Sequence, residues 1–272
     1  MRLSRVRQRW AAHAPALCVA VALTDPAVAE LASLLGFDCL WIDLEHHPRS
    51  LETAANSMRA ARVGGADIIA RPAKGEFMRM SRMLEAGATG IMYPRCEHED
   101  EAAEVVRYCK FAPIGARGMD GGGPDVPYAS MSLPKYIETA NRETFIFVQI
   151  EDPKSLERVE KIAAVPGVDG IFFGPGDFSV LAGIPEQFDH PLIVNAQQRI
   201  ADATRAAGKR WGMPGLDLGH CKRITSTLGA SFVAWGTDLV LLKEGFELVQ
   251  KQLGPLGFAF DNRLAGGGAA PV

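Results

Sequence analysis

The sequence predicts an α/β protein, and within that class a (β/α)8 TIM barrel. Two observations carry this prediction. Eight short apolar runs, at Cys18–Leu23, Cys39–Asp43, Asp67–Arg71, Thr89–Pro94, Thr144–Glu151, Gly170–Gly174, Arg210–Pro214 and Phe232–Gly236, read as strands. They are nearly continuous in hydrophobicity, as parallel strands covered on both faces must be. Between them lie amphipathic segments of helical character, so β and α alternate along the chain. The eight units occupy about Ala16 to Leu253 of 272 residues, which suits one barrel. A doubly wound open sheet is the rival arrangement, but no GxGxxG follows the first strand.

Taken in order, the helical segments are Pro26–Leu35, Ser50–Val63, Glu76–Ala86, His98–Phe111, Pro153–Ala164, Pro191–Ala207, Leu218–Leu228 and, after the last strand, Thr237–Leu253. Asp25 before Pro26 and Asp152 before Pro153 supply helix starts, since an N-cap carboxylate accepts from free N–H groups and proline at the first position wastes none. Two stretches break the rhythm. Ala112–Arg142 is a long connection containing GMDGGGPDVPY (Gly118–Tyr128), of the kind used for a functional loop or an oligomer contact. Gly254–Val272 is an extension ending in Gly-Gly-Gly-Ala-Ala-Pro-Val. Residues 1–272 are expected to form a single domain with its core at about 16–253.

Composition excludes several functions. Hydrophobic residues make up 47% and charged residues 22% of the chain, which is globular rather than disordered. Lys and Arg total 29 against 32 Asp and Glu, a net charge of −3, so no basic field is available for nucleic acid. The five cysteines, Cys18, Cys39, Cys96, Cys109 and Cys221, are scattered and contain no CxxC, which points to free thiols in a reducing, cytoplasmic setting. No apolar run approaches the ~20 residues that span a bilayer. Arg2, Arg5, Arg7 and Arg9 before Ala14–Leu23 faintly imitate a signal peptide, but the apolar part is short and is needed for the first strand.

A barrel carries its active site at the C-terminal ends of its strands. There stand Asp43, Glu45, His46 and His47 after the second strand, Arg71 after the third, Gln149 and Glu151 on the fifth, Gly174-Pro175-Gly176-Asp177 after the sixth and Asp238 after the eighth. Glu151 and Asp177 are either hard oxygen ligands for a divalent cation or loop-capping acids. Arg71 closes an apolar strand and needs an anion, supplied by a salt bridge or by a substrate oxygen that becomes an enolate. His46 is the acid–base candidate and the adjacent His47 its rival. The Gly174 and Gly176 amides could hold a carboxylate or merely form a turn. Competing chemistries lack their signatures: there is no HExxH and no GxSxG. A Schiff base would need a desolvated lysine, and Lys74 is the closest to a strand end.

Several segments, ordered along the chain from about Ala16 to Leu253, carry a family resemblance: FDCLWIDLEHHP (Phe37–Pro48), ARP (Ala70–Pro72), MLEAGATGIMYPR (Met83–Arg95), GARG (Gly115–Gly118), FVQIED (Phe147–Asp152), GVDGIFFGPGDFS (Gly167–Ser179) and FVAWGTDLVLL (Phe232–Leu242). Together they resemble the HpcH/HpaI aldolases, the class II metal-dependent pyruvate aldolases, which cleave substrates such as 4-hydroxy-2-oxoheptanedioate and 2-dehydro-3-deoxyglucarate. The resemblance implies a barrel of the phosphoenolpyruvate/pyruvate type whose last helix is exchanged between subunits of a homotrimer or homohexamer. It implies a divalent metal (Mg2+, Mn2+ or Co2+) on Glu151 and Asp177, Arg71 on the 2-oxo oxygen of pyruvate, His46 rather than His47 as the catalytic histidine, and Asp43 on metal-bound water. Glu85 would pair with that histidine at or near a subunit boundary. Gln149 would face the pyruvyl group, and the Gly174 and Gly176 backbone would hold its carboxylate.

The expected reaction is reversible cleavage of a 4-hydroxy-2-oxo acid to pyruvate and an aldehyde. An acyl-CoA lyase of the citrate lyase β type, which would need a basic groove for the CoA phosphates, and a catalytically silent barrel are the alternatives. Leu44 stands where several family members have Gly, Gly176 where Ala is frequent, and the Gly118–Tyr128 stretch departs from the heptanedioate enzymes. The acceptor aldehyde is therefore open.

Overall fold

A computed structural model describes residues 3–264. Eight parallel strands, β1 (Ala16–Ala20), β2 (Cys39–Asp43), β3 (Asp67–Arg71), β4 (Gly90–Tyr93), β5 (Phe145–Ile150), β6 (Gly170–Phe173), β7 (Arg210–Pro214) and β8 (Phe232–Thr237), close in sequential order into a barrel. Every strand expected from the sequence is present. The first begins two residues earlier than expected and ends at Ala20, because Ala16 pairs with Phe232 of β8 to complete the closure.

Around the strands lie α2 (Pro26–Leu34), α3 (Leu51–Ala60), α4 (Phe77–Ala86), α5 (Glu99–Cys109), α10 (Pro191–Ala206) and α11 (Leu218–Ser226), close to their expected bounds, while α12 (Asp238–Leu253) follows β8 with Asp238 alone of its residues buried. The segment expected as one helix from Pro153 to Ala164 is two short ones, α7 (Pro153–Leu156) and α8 (Val159–Ala163).

Three helices are additional. α1 (Arg5–Ala11) closes the N-terminal end of the barrel. Val6 and Trp10 enter the interior cluster, Ser4 Oγ donates to Asp67 Oδ2 at 2.6 Å, and the Trp10 indole donates to the Ser231 carbonyl at 2.9 Å. α6 (Leu133–Glu143) lies within the long 112–142 connection and runs one residue past it, and α9 (Pro175–Leu181) begins in the GPGD segment. Of the 254–272 extension, the structure describes a 3-10 turn at Gly254–Leu256 and chain to Leu264; the Gly-Gly-Gly-Ala-Ala-Pro-Val end lies outside the described residues.

The strand parity positions the site. Side chains on a strand alternate between faces. One set, including Leu40, Ile42, Ile68, Ala70, Ile146, Val148, Ile150, Ile171 and Phe173, packs outward against the helices. The other set, Cys18, Cys39, Ile69, Met92, Phe145, Phe147, Phe172 and Phe232, fills the barrel. Interior space is tight: a Cβ on Gly90 would sit 2.3 Å from the Phe145 ring. Continuing the inward set toward the C-terminal ends gives Trp41 and Asp43 on β2, Arg71 on β3, and Gln149 then Glu151 on and just after β5.

Candidate active site

The β2–β3 register places Asp43 beside Arg71. Arg71 Nε and Nη2 donate to Asp43 Oδ1 and Oδ2 at 2.9 and 2.6 Å, a bidentate pair buried in the barrel mouth. Burial would push the Asp43 carboxyl up, but the Arg71 hydrogen bonds and charge outweigh it and hold Asp43 below the usual carboxylate range. Arg71 also lies over the Trp41 ring, 4.7 Å from its centroid. Its remaining nitrogen, Nη1, makes longer contacts, 3.4 Å to Gln149 Oε1 and 3.3 Å to Glu45 Oε2. Gln149 Nε2 then donates to Glu151 Oε1 at 2.9 Å. A continuous polar chain Asp43–Arg71–Gln149–Glu151 thus crosses the C-terminal mouth.

Glu151 is buried, accepts the Arg95 N–H on Oε2 at 3.1 Å, and is pushed up to about 7. Burial is the main cause, and the charges of Asp177 and Glu45 add to it against the opposing effect of Arg71. Asp177, in the first turn of α9, is half-buried. Among the described residues no group of three or more His, Cys, Asp or Glu side chains is arranged to hold a metal. The donor set here is two carboxylates, one of them desolvated. That fits a hard cation that keeps waters and completes its shell with substrate oxygens, the habit of Mg2+.

The two glycines of the GPGD segment differ. A Cβ on Gly174 would fall 2.4 Å from Glu151 Oε1, so its hydrogen side chain is what lets Glu151 lie there. The Gly174 N–H is already given to the Ile150 carbonyl at 3.0 Å, which removes it as a carboxylate donor. At Gly176 a Cβ would meet nothing within 4 Å, so the position has room for a side chain. Its N–H lies in the first turn of α9, where helix amides have no intrahelical acceptor.

The histidines and Glu85 are less tightly gathered. The His46 side chain is 51% exposed, with Nε2 3.6 Å from Glu45 Oε2. His47 is half-buried, and its charge acts on Asp43. Glu85 sits in the last turn of α4, near the N-terminal end of β4, where its charged neighbours are Arg117, Asp125, Asp120 and Arg82. Burial, with Asp125 and Asp120, raises its carboxyl. Within one chain the structure does not bring Glu85 to His46, because α4 runs antiparallel to the strands and carries Glu85 away from the mouth. Lys74 donates to the Arg95 carbonyl at 3.0 Å and pairs with Glu97, so its amine is engaged rather than poised for a Schiff base.

Glu45 was expected at the strand end without a role, and Arg95 and Arg49 were not expected in the site. Glu45 contacts Arg71, His46 and Arg95. Its inward parity with Cys39, Trp41 and Asp43 was the available signal. Arg95 contributes its backbone to Glu151. Arg49 is buried and donates through Nη2 to the carbonyls of Val21 and Ala22 at 2.7 and 2.5 Å, tying the loop that carries His46 to the end of β1; nothing local in the sequence marks it.

Comparison with known proteins identifies the family. The family model described as HpcH/HpaI aldolase/citrate lyase matches residues 17–244. A hydroxypyruvate/pyruvate aldolase of Pseudomonas aeruginosa is 32% identical over 242 residues, covering 88% of this chain and 89% of that protein. A 4-hydroxy-2-oxo-heptane-1,7-dioate aldolase of Salmonella arizonae is 31% identical over 242 residues, covering 88% and 90%. Among solved structures, an HpcH/HpaI aldolase/citrate lyase family protein from Burkholderia cenocepacia superposes with a TM-score of 0.85 at 28% identity, covering 92% of this chain and 99% of that one. With the family model spanning nearly all of the barrel, the chain belongs to the HpcH/HpaI aldolase/citrate lyase family.

Proposed function

We propose that the protein is a carbon–carbon lyase catalysing reversible aldol cleavage of a 4-hydroxy-2-oxo acid to pyruvate and an aldehyde, with a divalent cation held by Glu151 and Asp177. The observation that carries this reading is the buried Asp43–Arg71–Gln149–Glu151 chain at the barrel mouth. When bound, the cation would supply Lewis acidity to the 2-oxo acid.

The chain's own residues account for the rest. Asp43 fixes the Arg71 guanidinium in place before substrate arrives. The loosely engaged Nη1 is the donor for the pyruvyl oxygen. As the C3–C4 bond breaks, charge collects on that oxygen, and a preorganised guanidinium stabilises the enolate more than the ketone. Gln149 faces the pyruvyl group and holds Glu151. The Gly176 amide binds the substrate carboxylate. His46 takes the proton of the C4 hydroxyl, paired with Glu85 from a second copy.

The second copy has structural support. Along α12, Leu239, Val240, Leu242, Phe246, Leu248 and Val249 are exposed, and of its residues Asp238 alone is buried. The outer side of β1 and β8 meanwhile carries a groove lined by Leu17, Phe37, Leu218, Val233 and Trp235. Exchange of α12 between copies would cover both apolar surfaces at once. A trimer or hexamer with a mass above one chain in light scattering is expected.

The deciding experiment is deuterium exchange at the pyruvate methyl group with Mg2+, Mn2+ or Co2+, before and after EDTA. Metal-dependent exchange is expected; exchange that survives EDTA would overturn the metal site, and none with any of the three would overturn the aldolase reading.

A further inference from the structure

Arg95 follows β4 and has a left-handed backbone, φ +48°, a conformation that costs a non-glycine residue roughly 1–2 kcal/mol. Both of its main-chain groups are held from outside. Its N–H donates to Glu151 Oε2 at 3.1 Å, and its carbonyl accepts from Lys74 Nζ at 3.0 Å. Lys74 is itself anchored by Glu97 and lies 3.7 Å from Glu101, which accepts from the Tyr93 hydroxyl at 2.7 Å. Such an over-determined outlier sets where the side chain goes. Here it goes across the mouth to Glu45, with Nε 3.8 Å from Oε1, and the side chain is 50% exposed.

That contact is weak. It is single, long and open to water, and among the described residues the guanidinium makes no hydrogen bond. Glu45 does not depend on it, since its other oxygen lies 3.3 Å from Arg71 Nη1. Arg95 therefore presents a planar fork of unused donors one carboxylate away from both Arg71 and His46. A carboxylate arriving there can take two parallel N–H bonds, which outcompete a single 3.8 Å ion pair.

Resting on the aldolase reading, we infer that Arg95 is a specificity-determining residue that selects acceptors bearing a carboxylate, so that the preferred substrate is a 4-hydroxy-2-oxo acid with a second acidic group beyond C4. The pyruvyl half is bound by Arg71, Gln149 and the α9 amides; the half beyond C4 meets Arg95.

The test measures condensation of pyruvate with 4-oxobutanoate and with butanal, in wild type, Arg95→Met and Arg95→Lys, each normalised to metal-dependent deuterium exchange of pyruvate and to an unchanged melting temperature. Wild type is expected to favour 4-oxobutanoate. The ratio of kcat/KM for the two aldehydes is expected to fall about tenfold to a hundredfold in Arg95→Met, the worth of a charged hydrogen-bonded pair, and less in Arg95→Lys. Equal loss for both aldehydes, an unchanged ratio, or a wild-type preference for butanal would each overturn the role of Arg95. Absence of pyruvate exchange in wild type would overturn the underlying reaction instead.

Discussion

The two ends of the barrel interior are built from the same strands with the same parity, yet they do opposite things. Toward the N-terminal end the inward residues are Phe145, Phe147, Phe172 and Phe232, joined by Trp10 from α1 in edge-on ring contacts. Toward the C-terminal end the inward residues are Asp43, Arg71 and Gln149, with Glu151 one step further. On β5 the change happens within a single strand, between Phe147 and Gln149. The aromatic end excludes water and gains from area buried. The polar end is desolvated by its neighbours, and burial there pushes the Glu151 carboxyl up to about 7. Stability is concentrated below and electrostatic tension above.

Substitutions separate the two. Arg71→Ala is expected to give the largest change in function, lowering pyruvate exchange by about a hundredfold to a thousandfold, because it removes the fixed donor proposed for the developing enolate. It also leaves Asp43 buried and unpaired, so a fall in melting temperature accompanies it. Phe147→Ala, only two residues before Gln149, is expected to cost about 3–5 kcal/mol in chemical denaturation. The surviving folded protein, measured well below its midpoint, is expected to keep its exchange rate within a few-fold.

The raised Glu151 carboxyl sharpens the contrast through pH. Its folded value, about 7, lies above the ordinary 4.5 of an unfolded chain. In metal-free protein its stabilising contribution is therefore complete below pH ~4.5 and is lost as pH rises through ~7. Metal binding at Glu151, as proposed, would have the reverse slope, since the proton must leave first. Calorimetric titration with Mn2+ is expected to show affinity falling about tenfold per unit below pH 7, while the melting temperature of EDTA-treated protein loses this contribution from pH 5 to 8. A flat affinity over that range would remove Glu151 from the metal site.

The smallest effects come from the paired glycines. Gly176→Ala is expected to change stability by no more than ~0.5 kcal/mol, because the added carbon meets open space. Gly174→Ala pushes on the Glu151 carboxylate at 2.4 Å and is expected to weaken Mn2+ binding about tenfold or more. Equal behaviour of the two variants would contradict the close approach of Glu151 to Gly174.

Legibility in the sequence follows from what each feature depends on. The strands were readable because burial on both faces requires unbroken apolar runs, and Cys39–Asp43 and Asp67–Arg71 stand where expected. α1 was not, because RVRQRWA offers only Val6 and Trp10 as a buried pair among charged residues, and its partner surface is the far end of a closed barrel. α6 is hidden in the sequence because its buried face rests on Tyr136, Thr139, Ala140 and Glu143, half of them polar, inside a segment rich in turn residues. Asp43, Arg71, Gln149, Glu151 and Asp177 were picked out by position at strand ends, since polar residues after apolar strands are conspicuous.

By itself, then, the sequence determined the eight strands, their direction and the end of the barrel where polar side chains gather, because periodicity and strand termini are local properties. Only the tertiary structure decided which polar side chains meet. The bidentate fit of Arg71 to Asp43 depends on inter-strand register, the reach of Glu45 to Arg71, His46 and Arg95 on loop path, and the separation of Glu85 from His46 on the direction of α4. Contacts of that kind join residues tens of positions apart, and an ion pair leaves no mark on the residues that lie between its partners.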